Sequence, residues 1–474
     1  MATISSAGIG SGLDVESLVT KLVAAESTPI TQLSQKTDGL KTELSSFGKV
    51  QGVLATLRDA AAKLTSPSTW GGTLATSSDP SSVSVSAGDG AAIGNVSVQV
   101  NQLASAQTLV SNTSYSSSTA TVGQGSLTIT LGAWSTDSTT GATTFTDKTG
   151  ATPVTVNIGP GQDTLGGIRD AINAANAGVT ASIVNDASGS RLTLRSTATG
   201  ETNGFRIDAG GGLTDLGYDP RVGVTSLIQT LPAQNARALI NGIDVSSESN
   251  SLQQAIDGLN ITLLKTTTIP ASVAVSQDKD SIKKLITDFT TAYNAVNALL
   301  RDQTKYDSAS KTAGPLQGDS TAVGLQNQLR SIIGGTTTLG GSLGRLAQIG
   351  LEPGSDGNLT TSDSKLNTAL NDLGSLKQLF MGLDSSGNSS NDGFAQRIRS
   401  YVDGALGSDG SISSRQSGLQ TQINNNNKRQ DELQAHVDQT EARLRARYSA
   451  LDTQMAQLNG LSAYVTQQLA QLSK

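Results

Sequence analysis

The sequence predicts an α+β multidomain fold: a terminal α-helical coiled coil and a helical-bundle leg, with β-rich head domains inserted between the helical segments. Three observations predict it. Apolar residues recur at three- and four-residue spacing from Leu18 to Leu64 and again from Leu419 to Leu472, as the buried stripe of a helix requires. Between about residues 73 and 276 the pattern changes to period two, punctuated by Gly, Asn, Asp and Ser, as strands and turns require. At 474 residues the chain is long enough for about three domains of roughly 100–200 residues each.

The first zone begins with a glycine-rich entry at Gly8, Gly10 and Gly12, after which Asp14 is placed to cap a helix. Leu18 and Leu22 open its stripe. Pro29 is expected to break or kink it, because a proline inside a helix removes a backbone donor and crowds the preceding turn. Beyond it the series Leu33, Leu40, Leu44, Phe47, Val50, Leu54, Leu57, Ala61, Leu64 starts with a step of seven and continues in fours and threes, a coiled-coil seam. Pro67 is expected to stop it.

Seven segments then read as strands: 82–86 (SVSVS), 95–100 (NVSVQV), 126–131 (SLTITL), 153–158 (PVTVNI), 191–195 (RLTLR), 260–264 (NITLL) and 272–276 (SVAVS). One helix, 164–177, interrupts them, with Asp163 as its expected cap. From Asp278 the residues Ile282, Leu285, Ile286, Phe289, Tyr293, Val296, Leu299 and Leu300 trace a helix with a wide apolar face. Shorter helices are expected at 321–333, 372–380 and 394–406.

A last helix from about Ser413 to the end would be roughly 90 Å long at 1.5 Å per residue. Its seam runs Leu419, Ile423, Leu433, Val437, Leu444, Tyr448, Leu451, Met455, Leu458, Val465, Leu469, Leu472. It is weak across the asparagines 424–427, and the repeated four from Leu451 to Met455 reads as a stutter. Gly460 is expected to loosen it. Neither long helix can bury its stripe alone. Pairing the first zone with the last solves both problems and brings the two termini to one end of the pair.

Composition excludes several chemistries. Hydrophobic residues are 36%, aromatics 3% and charged residues 15%, against about 45–50% apolar and about 25% charged in an average soluble chain. Without cysteine there is no disulfide framework, thiolate metal site or cysteine nucleophile. A single histidine excludes a multi-histidine metal site. No apolar run approaches the length of a membrane span, and a net charge of −6 gives no basic footprint for nucleic acid. The opening Met1-Ala2-Thr3-Ile4-Ser5-Ser6 lacks the charged and apolar regions of a cleaved secretory signal, which leaves the cytoplasm or export by a machine that needs no such signal.

The opening Gly8-Ile9-Gly10-Ser11-Gly12-Leu13-Asp14-Val15-Glu16-Ser17-Leu18-Val19, followed by Ala24-Ala25-Glu26 and Pro29-Ile30, resembles the start of flagellar filament cap proteins (FliD, hook-associated protein 2). Residues 165–207, with Ala171-Ile172-Asn173, Gly178-Val179-Thr180-Ala181-Ser182, Arg191-Leu192-Thr193-Leu194 and Thr199-Gly200, resemble the flagellin IN module of flagellar axial proteins. Ile349-Gly350-Leu351, Asp356-Gly357-Asn358-Leu359, the stretch 366–380 and the stretch 447–469 are similar to the C-terminal half of the cap family. These marks span nearly the whole chain in order.

The resemblance implies a filament capping protein at the distal tip, secreted to the extracellular flagellum without a cleaved signal peptide. It implies export through the flagellar type III apparatus, with an export chaperone as a possible partner. Flagellin and the filament tip would be partners, and so would other copies of the chain in a ring of about five or six. The ring promotes flagellin folding and polymerisation and prevents leakage of exported monomers. The division implied is 1–36 with 440–474 as terminal coiled-coil docking segments and 37–72 with 277–439 as the helical leg. Residues 73–110 with 232–276 form the first β head domain, and 111–231 form a second, inserted one carrying the IN-like module. The reading is non-enzymatic, with no cofactor, no metal, no nucleic acid and no membrane span.

For docking to the filament the candidates are Leu18, Leu22, Val23, Leu458, Leu461, Val465 and Leu469, which could equally serve an internal seam. The coiled-coil seam itself is assigned to Leu33, Leu40, Leu44, Phe47, Leu54, Leu433, Val437, Leu444, Leu451 and Met455. Arg443, Arg445 and Arg447, with Lys428 and Arg429, form a basic stretch. It reads as a solvated face supported by Glu441 four residues before Arg445, with docking to acidic flagellin surface as the sharper alternative. Three motifs are set aside. His436 sits on a helix with no nucleophile placed near it. The oxygen-rich loop from Asp384-Ser385-Ser386-Gly387-Asn388 to Asp392 lacks the spacing and terminal glutamate of a calcium loop. Gly159-Pro160-Gly161 before Gly166-Gly167 has no Gly-Lys-Ser/Thr.

Two other functions fit parts of the pattern. The Ser/Thr-rich segment 87–224 would suit an adhesin that binds host glycans. A hook–filament junction protein would share the helical ends and differ in sitting at the filament base.

Overall fold

The computed structural model describes residues 14–88 and 90–472, with side chains described as far as Ala470. Gly8, Gly10 and Gly12 and the side chain of Leu472 lie outside the described residues. The helices in chain order are α1 (Val15–Glu26), α2 (Thr28–Leu64), α3 (Pro67–Gly71), α4 (Leu165–Ala174) and α5 (Lys279–Thr304). They continue as α6 (Ser320–Gly334), α7 (Asp363–Ala369), α8 (Leu373–Met381), α9 (Phe394–Leu406) and α10 (Ser411–Leu472). The fold is α+β and multidomain. Its contacts divide it into a helical unit, up to Trp70 and from Lys279 onward, and a β unit, Gly71–Asp278.

In the helical unit the core is one apolar cluster. Phe47, Val50, Leu54, Leu57, Ala61 and Leu64 of α2 meet Ile282, Ile286, Phe289, Tyr293, Val296 and Leu300 of α5. Leucines of α6 and α8, Phe394, Ile398 and Val402 of α9, and Ile412, Leu419 and Ile423 at the start of α10 complete it. The spacing of these residues is the helical period on every element, which is why each helix buries one face and leaves the other wet.

Three expectations at helix ends need correction. The break between α1 and α2 falls at Ser27, whose hydroxyl donates to the Val23 carbonyl at 2.8 Å. Pro29 sits in the first turn of α2, where its missing N–H would have had no helical partner anyway. Pro67 does not stop α2. That helix ends at Leu64, and Pro67 opens α3, whose Trp70 indole donates back to the Leu64 carbonyl at 2.9 Å while the Thr69 hydroxyl takes that of Lys63 at 2.6 Å. Helix α4 is capped by Thr164, which accepts from the Gly167 amide at 3.1 Å, and not by Asp163. The Asp163 carbonyl instead accepts from Val122, 2.8 Å away, so this residue still belongs to the preceding turn.

The β unit opens with β1 (Thr73–Ser77), β2 (Val83–Ala87) and β3 (Gly94–Gln102). The chain then runs through β4 (Thr108–Ser111), β5 (Gly125–Thr136), β6 (Thr143–Asp147) and β7 (Val154–Ile158) into α4. After it come β8 (Val179–Asp186), β9 (Gly189–Ser196) and β10 (Gly204–Gly211), then β11 (Tyr218–Asp219), β12 (Val224–Thr225) and β13 (Leu227–Leu231). The return is β14 (Ala236–Ile240), β15 (Ile243–Ser247), β16 (Ser251–Ile256), β17 (Leu259–Leu263) and β18 (Ala271–Gln277). All seven strands read from the sequence are present.

Two cores lie in this unit. Sheets β1-β18-β3-β14-β15 and β16-β17-β2 share one, built from Val83, Val98, Val100, Ala238, Ile261 and Val273. Sheets β12-β11-β10-β5-β6, with β7 also on β5, and β13-β4-β9-β8 share the other, around Leu127, Ile129, Leu192, Leu194, Phe205 and the α4 residues Leu165, Ile168 and Ile172. Strand β4, which the sequence reading put in the first head domain, hydrogen-bonds to β9 and β13. Its Leu109 is buried in the second core.

Candidate docking surface of the terminal helices

Helices α2 and α10 run antiparallel: Gln416 meets Gln51 at 3.2 Å and, further along α10, Gln430 meets Thr37 at 3.2 Å. Arg415 fastens the start of α10 by donating from Nε to Asp319 at 2.7 Å and from Nη2 to Glu43 at 3.2 Å. Asp319 also caps α6 through the Ala322 amide at 3.0 Å, so one carboxylate joins two helices. Burial beside these groups raises the Glu43 carboxyl above its usual range, with the Arg415 charge opposing the rise.

Of the residues assigned to the seam, Leu40, Phe47, Leu54 and Val437 are buried. Leu33, Leu44, Leu433, Leu444 and Met455 are half-buried, while Leu451 is exposed. Polar residues supply the missing positions. Thr37, Ser46 and Thr440 are all buried. Thr37 fills the seven-residue step between Leu33 and Leu40 and returns its hydroxyl proton to the Leu33 carbonyl at 2.8 Å. An apolar count passes over such positions, although the gap itself was the signal.

Helix α1 also packs along α10. Asp14 caps it as expected, accepting from the Ser17 amide at 2.9 Å. Its inward face is Val15 and Val19, both buried. Beside them Arg445 grips Glu16 with two parallel bonds of 2.6 and 2.7 Å and also donates to Glu441 at 2.9 Å. The Arg445 hydrogen bonds lower the Glu16 carboxyl pKa and those carboxylates raise that of the guanidinium.

The seven docking candidates lie on other faces. Leu18 and Leu22 are 40% and 44% exposed on the outward side of α1, and Val23 is half-buried. On α10 every residue from 456 to 470 is exposed. Leu458, Leu461, Val465 and Leu469, at spacings of three, four and four, form one apolar stripe between 48% and 61% exposed, which Tyr464 widens. The sequence reading missed Tyr464. The two patches are not brought together. Glu16 pairs with Arg445, so Leu18 and Leu22 lie beside the part of α10 before Arg445, whereas Leu458 is thirteen residues past it, about 20 Å along the axis.

The remaining motifs are occupied internally or stand on open surface. His436, Arg443, Arg447 and Lys428 are exposed on α10, and Arg429 pairs with Glu432 at 3.0 Å. Asp384 uses its oxygens on the Ser386 amide and hydroxyl and on Asn391, which lowers its pKa. Gly159 to Gly161 form the turn between β7 and α4. Among the described residues no group of His, Cys, Asp or Glu is arranged to hold a metal ion, and no helix is long and apolar enough to cross a membrane.

Residues 11–107 match the N-terminus of flagellar hook-associated protein 2, residues 233–460 match its C-terminus, and residues 144–198 match the flagellin hook IN motif. That motif begins earlier and ends earlier than the 165–207 read from sequence. The chain is 31% identical over 491 aligned residues to flagellar hook-associated protein 2 of Escherichia coli K12, covering 99% of this chain and 98% of that one. It is 29% identical to the protein of the same name from Salmonella typhimurium LT2, over the full length of both. The crystal structure of the D1-D2-D3 domains of the flagellar cap protein FliD from Escherichia coli superposes with a TM-score of 0.59 at 29% identity, covering 79% of this chain and 99% of that one. Similarity at this level from end to end, carried by the same helical and β units, places the chain in the flagellar hook-associated protein 2 family.

Proposed function

We propose that this chain is the filament capping protein of a bacterial flagellum: an extracellular homo-oligomer at the distal tip that promotes folding and polymerisation of exported flagellin and prevents its loss. The observation that carries the proposal is the full-length likeness to hook-associated protein 2, joined to the fold of a flagellar cap protein. The exposed stripe Leu458–Leu461–Val465–Leu469 and the outward leucines of α1 supply surface that a helical partner in the filament can cover, by the helix-in-groove mode. The β unit would build the ring, and the chain would reach the tip through the flagellar export channel. The reading needs no enzymatic step and no cofactor, because burial of flagellin's apolar surface as it folds supplies the driving force. An adhesin or a hook–filament junction role is not favoured, since the likeness to capping proteins covers the whole chain.

Deleting the gene tests this. The expected result is monomeric flagellin in the medium, short or absent filaments, and recovery when purified protein is added back. Normal filaments without leakage would overturn it.

A further inference from the structure

The exposed stripe of α10 does not end at Leu458. Toward the start of the helix its line continues through Gln454 and Leu451, the latter 41% exposed, to Arg447 and Arg443. The steps from Arg443 to Leu469 are four, four, three, four, three, four and four, so one face of the helix carries them all over about 39 Å. Arg443 and Arg447 stand eighteen residues before Leu461 and Val465. That is five whole turns, so each arginine points the same way as its apolar counterpart. Both arginines are exposed, and neither has an ion-pair or hydrogen-bond partner among the described residues. Arg445 between them points elsewhere and is held by Glu16 and Glu441. The face supplies no carboxylate of its own. From Tyr448 to Ala470 the one charged residue is Asp452, which is half-buried and, five residues past Arg447, lies on another side of the helix. The face is therefore an apolar strip with two unneutralised guanidiniums at one end.

We infer that this face receives an amphipathic helix whose apolar stripe ends in carboxylates that reach Arg443 and Arg447. The inference rests on the capping reading and narrows its partner to an acidic-ended helix of the filament. Leucine and valine at three- and four-residue steps fit the ridges of a second helix. Each guanidinium matches the two oxygens of a carboxylate, and such rim charges set approach and orientation more than affinity. With charge at one end only, the partner is received in one direction, because reversal would lay its carboxylates against Val465 and Leu469. Two other occupants fit less well. Helices that lie on membranes carry cations along the flanks of the apolar face, and the apolar part of this one has none. A second copy presenting the same face would bring arginine to arginine if parallel and arginine to Leu469 if antiparallel, with no carboxylate in either case.

The experiment uses the full chain, fluorescently labelled, with flagellin filament fragments from the same bacterium as probe. Occupancy of filament ends is counted against protein concentration at several salt concentrations. The native chain is compared with Arg443→Gln/Arg447→Gln and with Lys36→Gln/Lys49→Gln, which removes the same charge from exposed positions on α2. All four positions are exposed, and circular dichroism checks that each variant is folded. The arginine variant should bind about two- to thirtyfold more weakly at low salt, the loss expected for two surface ion pairs. The gap should close as salt rises, and the lysine variant should bind like the native chain. Equal binding by the arginine variant, or an equal loss in the lysine variant, overturns the inference and leaves the capping reading standing. No binding of the native chain to filament ends overturns both. Binding to phosphatidylglycerol vesicles and self-association by sedimentation are measured in parallel. Either one, if present in the native chain and lost only in the arginine variant, gives the face to a membrane or to a second copy and overturns the inference.

Discussion

Tyr293 is the largest fully buried side chain among the described residues, and its hydroxyl donates to the Gly357 carbonyl at 3.1 Å. Around it Asn294 exchanges two bonds with Leu359, and Asn297 donates to Asp356 and Asn358 while accepting from Arg330. Three polar residues on one face of α5 thus hold the hairpin Leu351–Pro353 and Leu359–Thr361. Burial pushes the Tyr293 pKa up to about 12. Its neutral form therefore stabilises the fold fully below the ordinary tyrosine range near pH 10, and this contribution is lost as pH rises through about 12. Absorbance titration of the folded chain should show one tyrosine ionising last, absent in Tyr293→Phe, and that variant should lose about 0.5–1.5 kcal/mol at neutral pH. The sequence marked Tyr293 and Asp356-Gly357-Asn358-Leu359 separately but not their meeting, because they are about sixty residues apart and only the folded hairpin brings them together. The glycines divide in the same way. Gly52 stands inside α2 with open space where a Cβ would go, whereas a Cβ on Gly132 would fall 2.3 Å from the Thr146 carbonyl oxygen and 2.6 Å from the Phe145 ring. Gly52→Ala is expected to gain about 0.5–1 kcal/mol and Gly132→Ala to lose stability, both read from Tm.

At the scale of elements, α1 has two apolar faces, one buried and one exposed. Val15 and Val19 are buried, while Leu18 and Leu22 point outward. Val19→Asp should therefore free α1 from α10, at a cost of at least about 1.5–3 kcal/mol for the lost side-chain burial, and hydrogen exchange in α1 should accelerate. Leu18→Asp with Leu22→Asp should leave exchange and thermal stability nearly unchanged yet impair filament growth. The same separation is expected on α10, where Leu458→Asp with Leu469→Asp should spare the fold and weaken docking. Normal growth with both double variants would remove these residues from the docking surface. The sequence showed this stripe but not which face of α1 was free, because both faces keep helical spacing and only the packing against α10 chooses between them. Long periodic helices were the most legible elements, and α9 begins and ends where its pattern does. The strands that alternate cleanly were equally visible. Those that were missed, such as β10 with its Gly-Gly end and the two-residue β11 and β12, draw their order from a neighbouring strand rather than from their own residues.

At the scale of the whole molecule the decisive fact is how the β unit is inserted. Strand β1 pairs with β18 from Thr73 opposite Gln277 to Ser77 opposite Val273, and the Asp278 amide donates to the Gly72 carbonyl at 3.0 Å. The two ends of the β unit therefore lie side by side. Among the described residues its two cores draw only on its own side chains, and the helical core draws on none of them. The sequence indicated the insertion through its change of period, and the resemblance implied an inner insertion at 111–231, but that boundary cuts β4 instead of preceding it, because β4 finds β13 more than a hundred residues later. Such pairings carry no local signal. A helical core that shares no residue with the two cores of the β unit predicts two independent folding units. Replacing residues 73–277 by a short glycine-serine turn should leave a chain with helical circular dichroism and a cooperative melt, because the turn needs to span only the distance of one backbone hydrogen bond. The excised segment 71–278 should keep a β spectrum and its own transition. A helical remainder that melts without cooperativity, or a β segment that stays unfolded alone, would mean that each unit needs the other, and the closeness of the two crossing points would then reflect mutual support between the units.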